Sequence, residues 1–93
     1  MSPVRSRQWY VYVLKSKKVR RWYIGSTYNM QKRILAHNAE KNQSTRHGAP
    51  WRIIYCEVSL HRDDARAREK YLKSGMGRRY LKNRLKSFLH EDF

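Results

Sequence analysis

The chain has 93 residues, with 22 Lys+Arg against 7 Asp+Glu and a formal charge of +15; that length predicts one domain, 1–93, with a small core that buries about 60–65% of the unfolded surface. The basic residues run from Arg5 to Lys86, so the folded body itself is basic, and a polyanion, nucleic acid above all, is the expected partner. Composition excludes a membrane span, since no apolar run nears the ~20 residues needed, and one cysteine excludes an internal disulfide and a Cys-type zinc site.

Residues 1–7 are polar and basic, lack the apolar core of a signal peptide, and are expected to form a flexible arm. Gln8–Leu14 is rich in aromatic and β-branched residues and predicts a strand. Nearly every position is apolar, as in a central strand covered on both faces. Tyr10, Tyr12 and Leu14 point one way, and Trp9, Val11 and Val13 the other. Lys15–Arg21 is a charged turn, and Trp22–Gly25 a second short strand. The connection is too short for a parallel crossover, so the two strands form an antiparallel hairpin. Gly25 marks either a sharp bend or a close approach of another group.

Asn29 is the expected N-cap of a helix running from Met30 to about Glu40. Met30, Ile34 and Leu35 form its apolar side, and Arg33 and His37, four apart, share a face near it. Lys41–Pro50 is a polar loop. Trp51–Val58 predicts the third strand, and it carries Cys56, the lone cysteine, consistent with a reducing cytoplasmic setting. Asp63 or Asp64 is expected to cap a helix over about Ala65–Ser74. There Glu69 falls in the same stripe as Ala65, Leu72 and Met76. A carboxylate in the core-facing stripe of so basic a chain calls for a cation or a metal as partner. Gly75-Met76-Gly77 is expected to end this helix. A last helix follows over 78–89, with Leu81, Leu85 and Phe88 at i, i+4, i+7. Its few apolar residues are needed by the core and leave no broad face for a membrane surface.

The fold class expected is α+β: a small three-stranded antiparallel sheet flanked by helices in the order β-β-α-β-α-α. Tyr12 and Tyr23 can then share a face on neighbouring strands, with Arg33 and His37 arriving from the helix that follows. A guanidinium, two phenols and the Glu69 carboxylate in a basic cleft suit phosphodiester hydrolysis. Glu69 can hold a divalent metal through oxygen, and Arg33 can stabilise charge on phosphate oxygens. A tyrosine can activate water only if a cation lowers its ordinary pKa of about 10.

Tyr12, then Tyr23-Ile24-Gly25 eleven residues on, Arg33 ten further, His37-Asn38 and the helical Glu69 together resemble the GIY-YIG nuclease family over about residues 9–73. Phage homing endonucleases, a nuclease component of the bacterial excinuclease and part of a eukaryotic branched-DNA resolvase belong to that family. Tyr-Ile-Gly-Ser-Thr followed by Arg33 and His37-Asn38 resembles its small bacterial one-domain members in particular. The resemblance implies an endonuclease that cleaves DNA with one divalent metal, Mg²⁺ or Mn²⁺, leaving a 5′-phosphate and a 3′-hydroxyl. It implies that Glu69 is the metal ligand and Arg33 contacts the scissile phosphate. Tyr12 or Tyr23 takes part in activating water, and His37 sits beside the site. Branched, nicked or damaged DNA, met in repair or recombination, is the expected substrate, and a monomer or weak dimer the expected state. In Tyr10-Val11-Tyr12 only the last tyrosine matches Gly-Ile-Tyr; Tyr10 shares its face, and the spacing favours Tyr12. Ser26 stands where some members carry lysine, and Asn83 is the candidate for a late asparagine of others. The rival reading is a basic nucleic-acid-binding module, for DNA or structured RNA, that does not cleave.

Overall fold

The computed structural model describes residues 7–91. The arm expected over 1–7 therefore lies, apart from Arg7, outside the described residues. Three strands, β1 (Trp9–Ser16), β2 (Trp22–Thr27) and β3 (Trp51–Ser59), form one antiparallel sheet in the order β2-β1-β3. Helix α1 (Met30–Asn38) joins β2 to β3, and α2 (Arg62–Lys73), α3 (Gly75–Arg84) and α4 (Lys86–Glu91) follow β3. This is the α+β architecture and element order expected, with the final helix divided in two.

The central strand explains the layering. Val11 and Val13 are wholly buried on one face, against Ile24, Ala65, Leu72 and Leu81, and so pack on α2 and α3. Tyr12 and Leu14 are equally buried on the other face, with Trp51, Tyr23, Met30 and Ile34, beside α1. A strand covered on both faces has no polar face to give, which is why its sequence is almost continuously apolar. Across β1 and β3 the register shifts between Val13 and Leu14, a bulge that leaves Ile54 unmatched.

Two expected boundaries moved for identifiable reasons. The N-cap of α2 is His61, not Asp63 or Asp64: the His61 Nδ1 accepts from the Asp63 N–H at 3.0 Å. The aspartates occupy the first turn instead, where a carboxylate also suits the helix dipole. Gly75-Met76-Gly77 does not simply end α2. Ser74 breaks the chain direction, and its Oγ then caps α3 by accepting from the Gly77 N–H at 3.2 Å. Met76 and Leu35, both expected on apolar stripes, are exposed.

Gly77 is buried where α3 turns back on α2, and a Cβ there would collide with the Tyr71 carbonyl and the Leu72 backbone. Backbone cannot swing aside as a flexible side chain can. Gly77→Ala is therefore expected to lower stability by about 2–3 kcal/mol, read from the urea unfolding midpoint. No helix among the described residues is long and apolar enough to cross a membrane.

Candidate active site

The site is built on a strand-to-strand contact. In the β1–β2 register Tyr12 lies opposite Gly25. A Cβ on residue 25 would stand 2.6 Å from the Tyr12 hydroxyl and 3.0 Å from the Tyr23 ring. Gly25 thus does not bend the chain, as one reading of the sequence allowed; β2 continues through it to Thr27, and no described glycine has a positive φ. It is bare so that the Tyr12 ring can lie across it.

Asn29 caps α1 as expected, its side chain accepting from the Lys32 N–H at 3.0 Å. The helix therefore starts directly after β2 and carries Arg33 and His37 back over the same face. Tyr12, Tyr23 and His37 form a triangle of rings, with centroids 6.2, 5.9 and 4.9 Å apart for the Tyr12–Tyr23, Tyr12–His37 and Tyr23–His37 pairs. His37, in the last turn of α1, is fully buried. Its Nε2 lies 3.0 Å from the Tyr12 hydroxyl and its Nδ1 2.7 Å from Thr45 Oγ1. Thr45 donates onward to the Asn42 carbonyl at 3.5 Å. One set of protons satisfies this chain: Tyr12 donates to Nε2, and the Nδ1–H donates to Thr45.

The electrostatics agree with that arrangement. Burial, seconded by the Arg33 guanidinium, holds His37 below its ordinary value of 6.5 and so neutral. Burial, then the neighbouring Tyr23, pushes the Tyr12 phenol far above its ordinary 10.0, and Arg33 offsets only part of this. Tyr12 thus stays protonated and donates inward to His37, while its oxygen also meets the Arg33 guanidinium. Because His37 resists protonation in the fold, the unfolded chain holds more protons just below pH 6.5. Stability is therefore expected to fall as pH drops from about 6.5 towards the lowered value of folded His37. Thermal midpoints between about pH 7.5 and 5.5 check this, and His37→Gln should flatten that slope.

A second set of residues meets these at the free edge of β2. An open cleft of about 500 Å³ is lined on the α1 side by Tyr23 and Arg33 and on the α2 side by Arg66, Glu69, Lys70 and Lys73, with Gly25 and Ser26 between. Glu69 reaches it from α2, on the sheet face that Ser26 shares with Val11: Ser26 Oγ donates to Oε1 at 2.6 Å, and Lys73 Nζ donates to Oε2 at 2.7 Å. Of the five residues singled out from sequence, Tyr23, Arg33 and Glu69 face the cleft, while Tyr12 and His37 lie buried behind Tyr23. Asn83 is not brought there; it lies in a separate hollow with Met76, Arg79 and Tyr80. Arg66 and Lys70 were missed, although Arg66, Lys70 and Lys73 follow one another at four and three residues and so share one side of the helix on a helical projection. Thr45 left no local signal, because its contact with His37 depends on how the loop before β3 folds over α1. That loop is pinned by Trp51, whose backbone N–H donates to Asn38 Oδ1 and whose indole donates to the Thr45 carbonyl at 2.7 Å.

The donor chemistry limits which metal the cleft suits. Among the described residues no group of three or more His, Cys, Asp or Glu gathers. A lone carboxylate with hydroxyl oxygens nearby, in a cleft lined by cations, fits a hard ion that keeps water and takes substrate phosphate as ligands.

The family model described as the GIY-YIG catalytic domain matches residues 8–86, nearly the whole chain. The chain belongs to the GIY-YIG family. GIY-YIG domains are typically endonucleases, and GIY-YIG nucleases generally use divalent metal ions. UPF0213 protein CPE1444 of Clostridium perfringens (strain 13 / Type A) is 40% identical over 65 residues, covering 69% of each chain. No solved structure gives a significant match. In three dimensions Tyr12 and the Tyr23-Ile24-Gly25 stretch meet where the Tyr12 ring rests on Gly25.

Proposed function

We propose that this chain is a divalent-metal-dependent DNA endonuclease that hydrolyses phosphodiesters in the cleft between β2, α1 and α2. One observation carries the reading. Among the described residues Glu69 is the only acidic side chain lining a cleft that also holds Tyr23 and four cationic residues, Arg33, Arg66, Lys70 and Lys73. Cations around a single carboxylate suit a phosphodiester that brings its own negative charge, together with a metal that the carboxylate retains.

In this reading Glu69 holds Mg²⁺ or Mn²⁺, with Ser26 orienting the carboxylate through its 2.6 Å hydrogen bond. The bound metal supplies Lewis-acid stabilisation of charge on the phosphate. Arg33, on the opposite wall, binds the phosphate oxygens and stabilises the charge that builds on them. Tyr23 is the phenol at the cleft and the group placed to hold or move the proton of the attacking water. Tyr12 and His37 act as positioning residues. They touch no substrate but fix the Tyr23 ring through the packed triangle. Branched, nicked or damaged DNA is the substrate class proposed, in repair or recombination.

The test is nicking of supercoiled plasmid and of branched and nicked oligonucleotides in Mg²⁺ or Mn²⁺. Nicks with 5′-phosphate and 3′-hydroxyl ends are expected, about 10²–10³-fold slower with Arg33→Ala. Activity that survives both Arg33→Ala and Glu69→Ala would contradict the assignment. A second reading, a binding module without cleavage, is favoured by one observation: both Glu69 oxygens are already engaged, by Ser26 and Lys73. It predicts no nicking in any metal, with DNA or structured RNA binding that weakens steeply between about 50 and 200 mM salt.

A further inference from the structure

The two partners of Glu69 are not equivalent. Ser26 is a neutral hydroxyl fixed on a strand. Lys73 is a cation on a flexible stem, and its side chain is 51% exposed. The Glu69–Lys73 pair has the favourable i,i+4 order, yet an ion pair at that exposure is weak. A bond that weak is readily exchanged. An ammonium and a divalent cation on the same carboxylate repel each other, so either one weakens the other. Lys73 also has somewhere to go. It shares one side of α2 with Arg66 and Lys70, and all three line the cleft, forming a row on which phosphates flanking a bound scissile group would lie.

We propose that Lys73 is an exchangeable counter-ion of the site. It holds Glu69 before metal and nucleic acid arrive, and turns to a substrate phosphate when a divalent cation takes the carboxylate. This rests on the metal-dependent reading above. Metal and nucleic acid then bind with positive coupling, because each removes a cost met by the other. The free protein binds metal poorly because the helix face that recognises substrate also occupies the carboxylate.

The test uses the full chain and Mn²⁺ alone, titrated by electron paramagnetic resonance without nucleic acid, followed by single-turnover nicking at saturating Mn²⁺. Lys73→Gln is expected to bind Mn²⁺ about two- to five-fold more tightly than the unaltered chain. At saturating Mn²⁺ it is expected to nick about ten-fold more slowly, with Lys73→Arg restoring both values towards those of the unaltered chain. Lys70→Gln removes the same charge from the cleft but no bond to Glu69, and its Mn²⁺ shift should be smaller. Equal shifts for Lys70→Gln and Lys73→Gln, or an unshifted Lys73→Gln, overturn the exchange. A Lys73→Gln chain that nicks at the unaltered rate overturns the phosphate contact. If Glu69→Gln binds Mn²⁺ as well as the unaltered chain does, the metal site and the exchange fall together. If Mn²⁺ binds through Glu69 with the expected shift but nothing is nicked, the nuclease reading fails and the exchange at the carboxylate stands.

Discussion

Glu69→Gln is expected to slow phosphodiester cleavage by about 10²–10³-fold while leaving the fold intact. The amide keeps an oxygen for the Ser26 hydroxyl, so the hydrogen bond that ties α2 to β2 survives. It loses only the half-exposed pair with Lys73, worth at most about 1 kcal/mol. Affinity for DNA should hold or rise, since a negative charge leaves a cleft lined by Arg33, Arg66, Lys70 and Lys73. Single-turnover rates, set beside DNA affinity and thermal midpoint, therefore separate chemistry from binding and folding. Equal cleavage by the Glu69→Gln chain would remove the carboxylate from the mechanism.

The two tyrosines should part company when each is changed to phenylalanine. Tyr23→Phe is expected to cost about 10²–10⁴-fold in cleavage, the range for losing a positioned proton-transfer group. Its effect on stability should be small, because Tyr23 lines an open cleft and is only half-buried. Tyr12→Phe is expected to act the other way. The Tyr12 hydroxyl is wholly buried and donates to His37 Nε2, and its removal leaves a buried acceptor without a partner. That costs about 1–3 kcal/mol of stability, with a smaller loss of cleavage arising only through a looser ring triangle. Rates measured well below both unfolding temperatures decide between them. If Tyr12→Phe were as slow as Tyr23→Phe there, the inward-facing phenol would have to take part in the chemistry.

Much of this was legible in the sequence, and for local reasons. Strand alternation put Tyr12 and Leu14 on one face and Val11 and Val13 on the other, and the two cores follow that division. Asn29 was the expected cap because its side chain can satisfy the first free N–H groups of α1. Glu69 stood out as a charge in an apolar stripe before any contact was known. What stayed hidden depends on distant pieces of chain. Gly25 could mark a bend or a close approach, and the choice stayed open because a glycine's need for space is set by the strand beside it, here by the Tyr12 ring. The burial of His37 needs Thr45 and Trp51, which arrive from the loop and the third strand. His61 was passed over as a cap because the aspartates after it carry the stronger signal, and a first-turn carboxylate looks the same as a capping one. Ser26 was noted for its place after Tyr-Ile-Gly and for lacking a positive charge, not for a contact. Its value lies in the hydroxyl it offers to a carboxylate 43 residues away.

If one cleft, at the edge of β2, holds the metal on which cleavage depends, anomalous X-ray scattering from crystals of the chain soaked in Mn²⁺ tests it most directly. A manganese peak is expected, coordinated by a Glu69 oxygen, between Tyr23 and Arg33 on one wall and α2 on the other, with Lys73 turned away. A chain that nicks DNA in Mn²⁺ but shows Glu69 still held by Lys73 and the metal bound elsewhere would contradict it.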